Sequence, residues 1–346
     1  MTQESKAPVA PARLHKRLLF TPHCIALITM WLLTTFSFFV MLFSGVRSAD
    51  QFRIGRHILQ AAHVLALFWY LIRTGPSVKQ LPHLDPLLLP QRRIGKLVPV
   101  IVIALVFVAE LFDQGILLPL LMIASICILI VWHREVYLRS ILLGLAVTKI
   151  AFFSGLPFYK NQYFSELYFI ILIIFFIPLF VGGGLLGKRT ALVGSQLYAG
   201  RYRQALVSFL WGCLLFIPLG LTNAAAGAPG PRMTWVTRWW IPLSLPWFSG
   251  IVEEAWFRLF LVSLCYFLLR PAFSKLPAVA VICALLFSAI TFGLGHGGTL
   301  LERVLIEGLL YGLPLAVIFV RRDWEHAVGA HYMINMIPTL IVFLET

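Results

Sequence analysis

The stretch WFSGIVEEAWFRLFLVSLCYFLL, residues 247–269, is apolar apart from small polar residues and three charged side chains, Glu253, Glu254 and Arg258. A helix that crosses a bilayer needs roughly 20 mostly apolar residues, so this stretch predicts a transmembrane helix. An ionised side chain at the membrane centre costs roughly 2.5–3.5 kcal/mol and usually marks function. Glu254 and Arg258 are four positions apart and face each other on a helix, whereas Glu253 points away from both. A structural ion pair between helices is the alternative interpretation.

The rest of the chain has the same membrane character. Of its 346 residues, 60% are hydrophobic and 12% are charged, and the mean hydropathy is +0.89. Soluble domains average about half apolar and a quarter charged residues, so these values exclude a soluble globular protein, a disordered protein and a disulfide scaffold. The sequence predicts an all-α fold, a polytopic transmembrane helical bundle with about 9–12 spans. The eleven candidate spans are Pro22–Gly45, His57–Ile72, Leu97–Phe112, Gly115–Trp132, Ser140–Phe158, Phe164–Gly187, Ala205–Leu221, Trp247–Leu269, Pro277–Phe292, Val304–Val320 and Trp324–Leu344.

The distribution of charge indicates an orientation in the membrane. The net charge is +14, from 28 Lys and Arg against 14 Asp and Glu. The basic residues lie between the apolar runs, mostly in segments on the same side as the N-terminus, which favours membrane orientation over nucleic-acid binding. We therefore expect an integral multi-pass membrane protein with a cytoplasmic N-terminus. Membrane lipid is an expected partner, and nucleic acid is not.

Two further apolar segments carry polar side chains of chemical interest. The motif Phe292-Gly-Leu-Gly-His296-Gly-Gly surrounds one histidine with four glycines, which permit a close backbone approach or the end of a helix. In the second segment His331 and Asn335 are four positions apart, on one helical face. Taken alone, His296 is explained as well by a position at the membrane interface as by a catalytic role. The pair His331 and Asn335 alone favours an interhelical hydrogen bond worth about 1 kcal/mol.

Together, the three segments contain a set of groups suited to hydrolysis of an amide by water. A carboxylate and a histidine hold and deprotonate a water molecule. A histidine and an asparagine donate hydrogen bonds to the oxyanion that develops on the substrate. A Glu–Arg pair fixes the geometry of its glutamate, and no serine or cysteine nucleophile is required.

The order of these motifs resembles a known family. Glu-Glu-x-x-x-Arg, then Phe-x-x-x-His, then His-x-x-x-Asn, in apolar helices near the C-terminus, is similar to the CPBP family of CAAX-prenyl-protease-like and bacteriocin-processing (Abi) intramembrane endopeptidases. The resemblance covers Trp247 to Leu344, and it implies an enzyme that hydrolyses a peptide bond in a membrane-associated protein or peptide. It assigns roles to six residues, with Glu253 as the catalytic glutamate, His296 as the histidine that activates water, Glu254 and Arg258 as the supporting pair, and His331 and Asn335 as the oxyanion site.

The resemblance also implies a metal-free glutamate mechanism, so no cofactor is expected. Glu253, His296 and His331 include the ligand types that zinc prefers, so zinc remains the alternative, although the chain lacks the helical HExxH signature.

A non-catalytic scaffold, immunity protein or transporter with the same fold is the alternative function. We expect residues 1–200 to form an N-terminal transmembrane region without an assigned role, and the resemblance implies that residues 201–346 form the CPBP/Abi-like catalytic helical core.

The predicted spans create a conflict of depth. They place His296 near the outer end of its helix and His331 nearer the inner end, a difference of roughly 15 Å at 1.5 Å per residue. One shared site then requires a strongly tilted helix, a helix broken at the glycines, or a helix that begins elsewhere. Glu302, Arg303 and Glu307 follow the glycine run and favour an ion pair at the membrane interface over a position at the site entrance.

Overall fold

A computed structural model describes residues 21–43, 49–75, 93–112, 116–160, 166–190, 192, 194–225 and 236–345. Within these ranges the chain forms eleven helices and no strand, which confirms the predicted all-α class. The helices are α1 (Pro22–Phe43), α2 (Ala49–Thr74), α3 (Arg93–Phe112), α4 (Leu117–Val131), α5 (Leu138–Lys160), α6 (Glu166–Thr190), α7 (Tyr202–Ala225), α8 (241–269), α9 (Pro277–Leu294), α10 (Leu300–Arg321) and α11 (Trp324–Glu345).

Each predicted span coincides with one of these helices. In the described part of the chain, five helices are long and apolar enough to cross a membrane, namely α5, α7, α9, α10 and α11. The chain is therefore an integral membrane protein, while the total of 9–12 spans and the orientation of the N-terminus stay predictions. The predicted span ends at Gly45, Gly115 and Phe164 lie outside the described residues.

The helices of the first half pack directly against α8. Gly183 on α6 meets the backbone of Leu259, because a Cβ added at this glycine would lie 2.9 Å from the Leu259 carbonyl oxygen. Phe176, Phe180 and Leu259 are all buried in one continuous core. The first half thus supports the helix that carries Glu253 and Glu254. The division of the chain at residue 200 stays a prediction.

Helix α11 begins inside the bundle, beside the first half of α7. Ser208 donates a hydrogen bond to Asp323 at 2.8 Å, and a Cβ added at Gly212 would lie 2.9 Å from the His326 carbonyl carbon. Ser208 and Gly212 are six and ten residues beyond Tyr202, the first residue of α7. At 1.5 Å per residue, α11 therefore begins roughly 9–15 Å along α7.

Polar contacts stabilise this deep helix start. Glu325 accepts hydrogen bonds from Ser195 Oγ at 2.5 Å and from the backbone N–H groups of Gln196 and Leu197 at 3.0 and 2.8 Å. Burial alone would raise the pKa of Asp323, but the hydrogen bonds and charge of His326 and the hydrogen bond from Ser208 hold it below its ordinary value. Both carboxylates thus lie at the N-terminus of α11, where negative charge is favourable.

Helices α8 and α10 each contain a wider π-helical segment, Glu254–Val262 in α8 and Arg303–Gly312 in α10. Ser288 on α9 donates a hydrogen bond to the Phe257 carbonyl at 2.7 Å, and Arg258 Nη2 donates to the Gly312 carbonyl at 3.1 Å. Each π segment is therefore tied to a neighbouring helix through one of its own carbonyl groups. Such segments occur often at functional sites.

Gly329→Ala tests the close packing that sets the depth of α11. A Cβ at this position would lie 2.9 Å from the Phe209 carbonyl carbon and 3.1 Å from the Cys213 nitrogen, so backbone must move. We expect a loss of about 1–3 kcal/mol in the free energy of unfolding, measured by a denaturation titration in detergent. Gly55→Ala is the matched control, because a Cβ there meets nothing within 4 Å. Equal stability of the two variants would contradict the packing.

Candidate active site

The centre of the candidate site is a buried carboxylate shared by two helices. Glu254 is fully buried, and its Oε1 accepts a hydrogen bond from His331 Nδ1 at 2.7 Å. Its Oε2 lies 3.3 Å from Nε of Arg258, one turn further along α8. The predicted pairing of Glu254 with Arg258 is therefore present, and His331 on α11 joins the same carboxylate.

The Arg258 guanidinium is surrounded by groups that stabilise a cation away from water. Its side chain is fully buried, Nη2 donates to the Gly312 carbonyl on α10, and its central carbon lies 4.2 Å from the centroid of the Phe292 ring on α9. A cation over an aromatic face is attracted to the negative charge of that face. Arg258 thereby connects α8 to both α9 and α10.

The contact with Glu254 defines the tautomer of His331 and leaves Glu253 available. Nδ1 of His331 faces a carboxylate oxygen and therefore carries a hydrogen, so Nε2 points towards Glu253, whose Oε2 is 3.8 Å away. The Glu253 side chain is 28% exposed. Its Oε2 is buried and accepts no hydrogen bond from the described residues. Glu253 is thus the carboxylate with capacity for a further partner.

His296 approaches the group from the end of α9. It follows the last residue of that helix, and its Nδ1 lies 2.8 Å from the Phe292 carbonyl, which requires a hydrogen on Nδ1 and leaves Nε2 as the free acceptor of the neutral ring. The ring centroid of Phe292 is 4.5 Å from that of His296 and 5.7 Å from that of His331. Among the described residues no ion pair joins His296 to Glu253, so these two are not in direct contact.

His296 and His331 lie at one shared site, because both imidazole rings contact the same phenyl ring of Phe292. Two features accompany this arrangement: α9 ends at Leu294, within the glycine run and before His296, and α11 begins roughly 9–15 Å along α7. The predicted difference in depth across the membrane stays a prediction.

Asn335 lies on the same face of α11 as His331, as predicted. Its Nδ2 donates a hydrogen bond to Ser249 Oγ at 2.8 Å, and Ser249 is four residues before Glu253 on α8. The amide nitrogen keeps a second hydrogen for another acceptor. The sequence analysis missed Ser249, although its place one turn before Glu253 is a signal that it shares the face of that glutamate.

Glu307 lies in a different setting from the one that the sequence analysis favoured. It was expected in an interfacial ion pair, but within the described part of the chain no ion pair joins it to Arg303. Glu307 is instead half-buried in the π segment of α10, one residue before the buried Gly308. Glu302 has a different role, in the capping box at the start of α10. The available signal for Glu307 was a carboxylate inside an apolar span.

Among the described residues, no three His, Cys, Asp or Glu side chains lie close enough together to hold a metal ion. Nδ1 of His331 is engaged by Glu254 and Nδ1 of His296 by Phe292. The arrangement instead offers groups for acid–base chemistry, with an available carboxylate at Glu253 and a bare imidazole nitrogen at His296. The metal-free mechanism stays a prediction, with zinc as its alternative.

A comparison with known protein families finds a match in the region that contains the candidate site. Residues 234–337 match the family described as Type II CAAX prenyl endopeptidase Rce1-like. This match confirms the resemblance to the CAAX-protease family that the three motifs predicted, and all six predicted site residues fall within it. No curated protein and no solved structure matches the chain. The chain is thus a membrane protein in which residues 234–337 are similar to Type II CAAX prenyl endopeptidases of the Rce1-like family.

Ser249→Ala tests whether Ser249 orients Asn335. Loss of one hydrogen bond worth about 1 kcal/mol corresponds to roughly a fivefold lower turnover of a cleaved peptide. Ser244→Ala is the control, because the hydroxyl of Ser244, on the same helix, donates only to the Ile241 carbonyl among its described contacts. Unchanged turnover in Ser249→Ala, or an equal loss in both variants, would contradict this role.

Proposed function

We propose that the protein is an intramembrane endopeptidase of the CAAX-prenyl-protease type, which hydrolyses a peptide bond in a membrane-associated protein or peptide. The observation that carries the proposal is that the adjacent residues Glu253 and Glu254 make different contacts. Glu254 accepts a hydrogen bond from His331 at 2.7 Å and lies 3.3 Å from Arg258, whereas the nearest ion-pair partner of Glu253 within the described residues is His331 Nε2, at 3.8 Å. A structural ion pair requires only the first of these carboxylates.

The proposed reaction begins with a water molecule held between Glu253 and His296. The water O–H bond breaks, the proton moves to Nε2 of His296, and the hydroxide oxygen forms a bond to the carbonyl carbon of the substrate. Nδ1 of His296 already donates to the Phe292 carbonyl, which aligns the ring for this transfer. When the C–N bond breaks, the same proton passes to the leaving nitrogen, and the products are a carboxylic acid and an amine.

The oxyanion is stabilised from α11 in this proposal. His331 donates to the oxyanion from Nε2, the ring nitrogen that Glu254 does not engage. Asn335 donates with the amide hydrogen that Ser249 does not accept. Each such donor typically contributes a factor of about 10²–10³ to catalysis in a site that excludes water.

The substrate and location follow from the same proposal. Membrane lipid surrounds the protein, and the substrate is a protein or peptide attached to that membrane. The proposed location is a bacterial cytoplasmic membrane with the N-terminus in the cytoplasm. No cofactor is required, and zinc is the alternative that a metal analysis of purified protein would distinguish.

Glu253→Gln and His296→Ala test the assignment. We expect each to lower the cleavage of an internally quenched, farnesylated CAAX peptide by about 10²–10⁴-fold, because each removes a group that holds or deprotonates the water. Thermal unfolding in detergent should remain close to that of the wild type. Glu302→Gln is the control, since glutamine also completes a capping box. Full turnover by both variants, or no activity in the wild type with any membrane-attached peptide, would favour the non-catalytic scaffold, immunity protein or transporter.

A further inference from the structure

Helix α7 has a gap in its own pattern of backbone hydrogen bonds. Pro218 lies inside this helix and has no backbone N–H, so the carbonyl of Leu214, four residues earlier, loses its usual partner. Trp31 Nε1 on α1 donates a hydrogen bond to this carbonyl at 2.9 Å. A carbonyl that proline frees inside a membrane needs a partner from a neighbouring helix, because the bilayer core holds no water. The indole of Trp31 supplies that partner.

The next carbonyl of α7 is bound from α2. His63 is fully buried, and its Nε2 lies 3.3 Å from the Leu215 carbonyl, so this nitrogen carries a hydrogen. The other ring nitrogen, Nδ1, is buried and has no hydrogen-bond partner among the described residues. Helices α1 and α2 thus each direct one side-chain N–H group at successive carbonyls just before Pro218.

After the proline, α7 contacts the part of α11 that carries the proposed oxyanion donors. These donors are the first and last residues of the turn 331–335. A Cβ added at Gly220 would lie 2.6 Å from the Met333 carbonyl oxygen, so the two backbones are in contact there. Asn223 Nδ2 donates a hydrogen bond to the Ile334 carbonyl at 3.2 Å. The second half of α7 therefore determines where the turn 331–335 lies.

We propose that Trp31 and His63 are positioning residues, which hold the second half of α7 against the turn 331–335 and so keep the oxyanion donors in place. This inference rests on the proposed endopeptidase function and deepens it. Proline weakens a helix at its own position, because a hydrogen bond that stiffens the helix is missing there. Without the two N–H groups, the segment of α7 after Pro218 shifts relative to the segment before it. Helices α1 and α2 thereby act on the reaction without contact with the substrate.

A role of Trp31 and His63 in stability alone makes a different prediction. Loss of their N–H groups would then lower the folded fraction of the protein and leave the turnover of each folded molecule unchanged. The contacts between α7 and α11 instead predict that the folded molecules themselves react more slowly. Both tests are therefore made on the full-length protein, with rates expressed per folded molecule.

The first test uses the farnesylated CAAX peptide. We expect Trp31→Phe/His63→Phe to lower kcat by about tenfold or more with little change in KM, because the displaced donors act on the oxyanion and not on the bound peptide. Trp31→Phe/His63→Gln should regain at least threefold of that loss, since the glutamine amide donates from a position close to that of Nε2. Trp211→Phe is the control on α7 and should match the wild type, because Trp211 is 53% exposed.

The second test needs no substrate and follows backbone hydrogen–deuterium exchange in detergent by peptide mass spectrometry. In Trp31→Phe/His63→Phe we expect exchange at least threefold faster in residues 219–225 and in the turn 331–335, because these segments open locally when their support is removed. Helix α4, which packs against α6, should not change. Trp211→Phe should leave the exchange of all these segments unchanged.

The outcomes separate this proposal from the proposed function. Faster exchange confined to α1 and α2, or equal in all helices, would overturn the proposal, and so would an unchanged kcat per folded molecule in an active enzyme. If the wild type cleaves no membrane-attached peptide but exchange still rises in the turn 331–335, the endopeptidase function fails while the coupling of α1 and α2 to α11 stands.

Discussion

The shared Glu254 carboxylate is the contact on which the rest of the site depends. One oxygen binds His331 on α11 and the other lies against Arg258 on α8, all within the interior of the bundle. A buried charge without a partner destabilises a protein by several kcal/mol. Loss of any one of Glu254, Arg258 and His331 therefore leaves the remaining groups buried without their partner. The contact orients the imidazole of His331, and it leaves the adjacent Glu253 available for a water molecule.

This contact requires α11 to begin deep inside the bundle. Asp323 and Glu325 make that possible, because their hydrogen bonds with Ser208, Ser195 and the backbone satisfy polar groups that would otherwise be buried without partners. Small residues then let the backbones of α7 and α11 approach closely, as in many packed membrane helices. The first half of the chain contributes helix α6, which packs against α8.

The sequence predicted the helices well because apolar runs and spanning lengths are local properties. The Glu254–Arg258 pair was predictable for the same reason, since four residues along a helix bring side chains to one face. Depth was not predictable, because an apolar run does not say where along its neighbour a helix begins. The π segments of α8 and α10 and the contact of Ser249 with Asn335 both depend on packing between segments that are distant in sequence.

The coupling between Glu254 and His331 tests the central contact most directly. A double-mutant cycle with Glu254→Ala, His331→Ala and the double variant, measured by reversible unfolding of the full-length protein in detergent, isolates their interaction. Side chains in direct contact show coupling of about 0.5–3 kcal/mol, and the buried hydrogen bond predicts a value in the upper half of that range. Losses in the free energy of unfolding that add strictly, within about 0.3 kcal/mol, would contradict the account, because substitutions of two residues that are not in contact destabilise a protein independently.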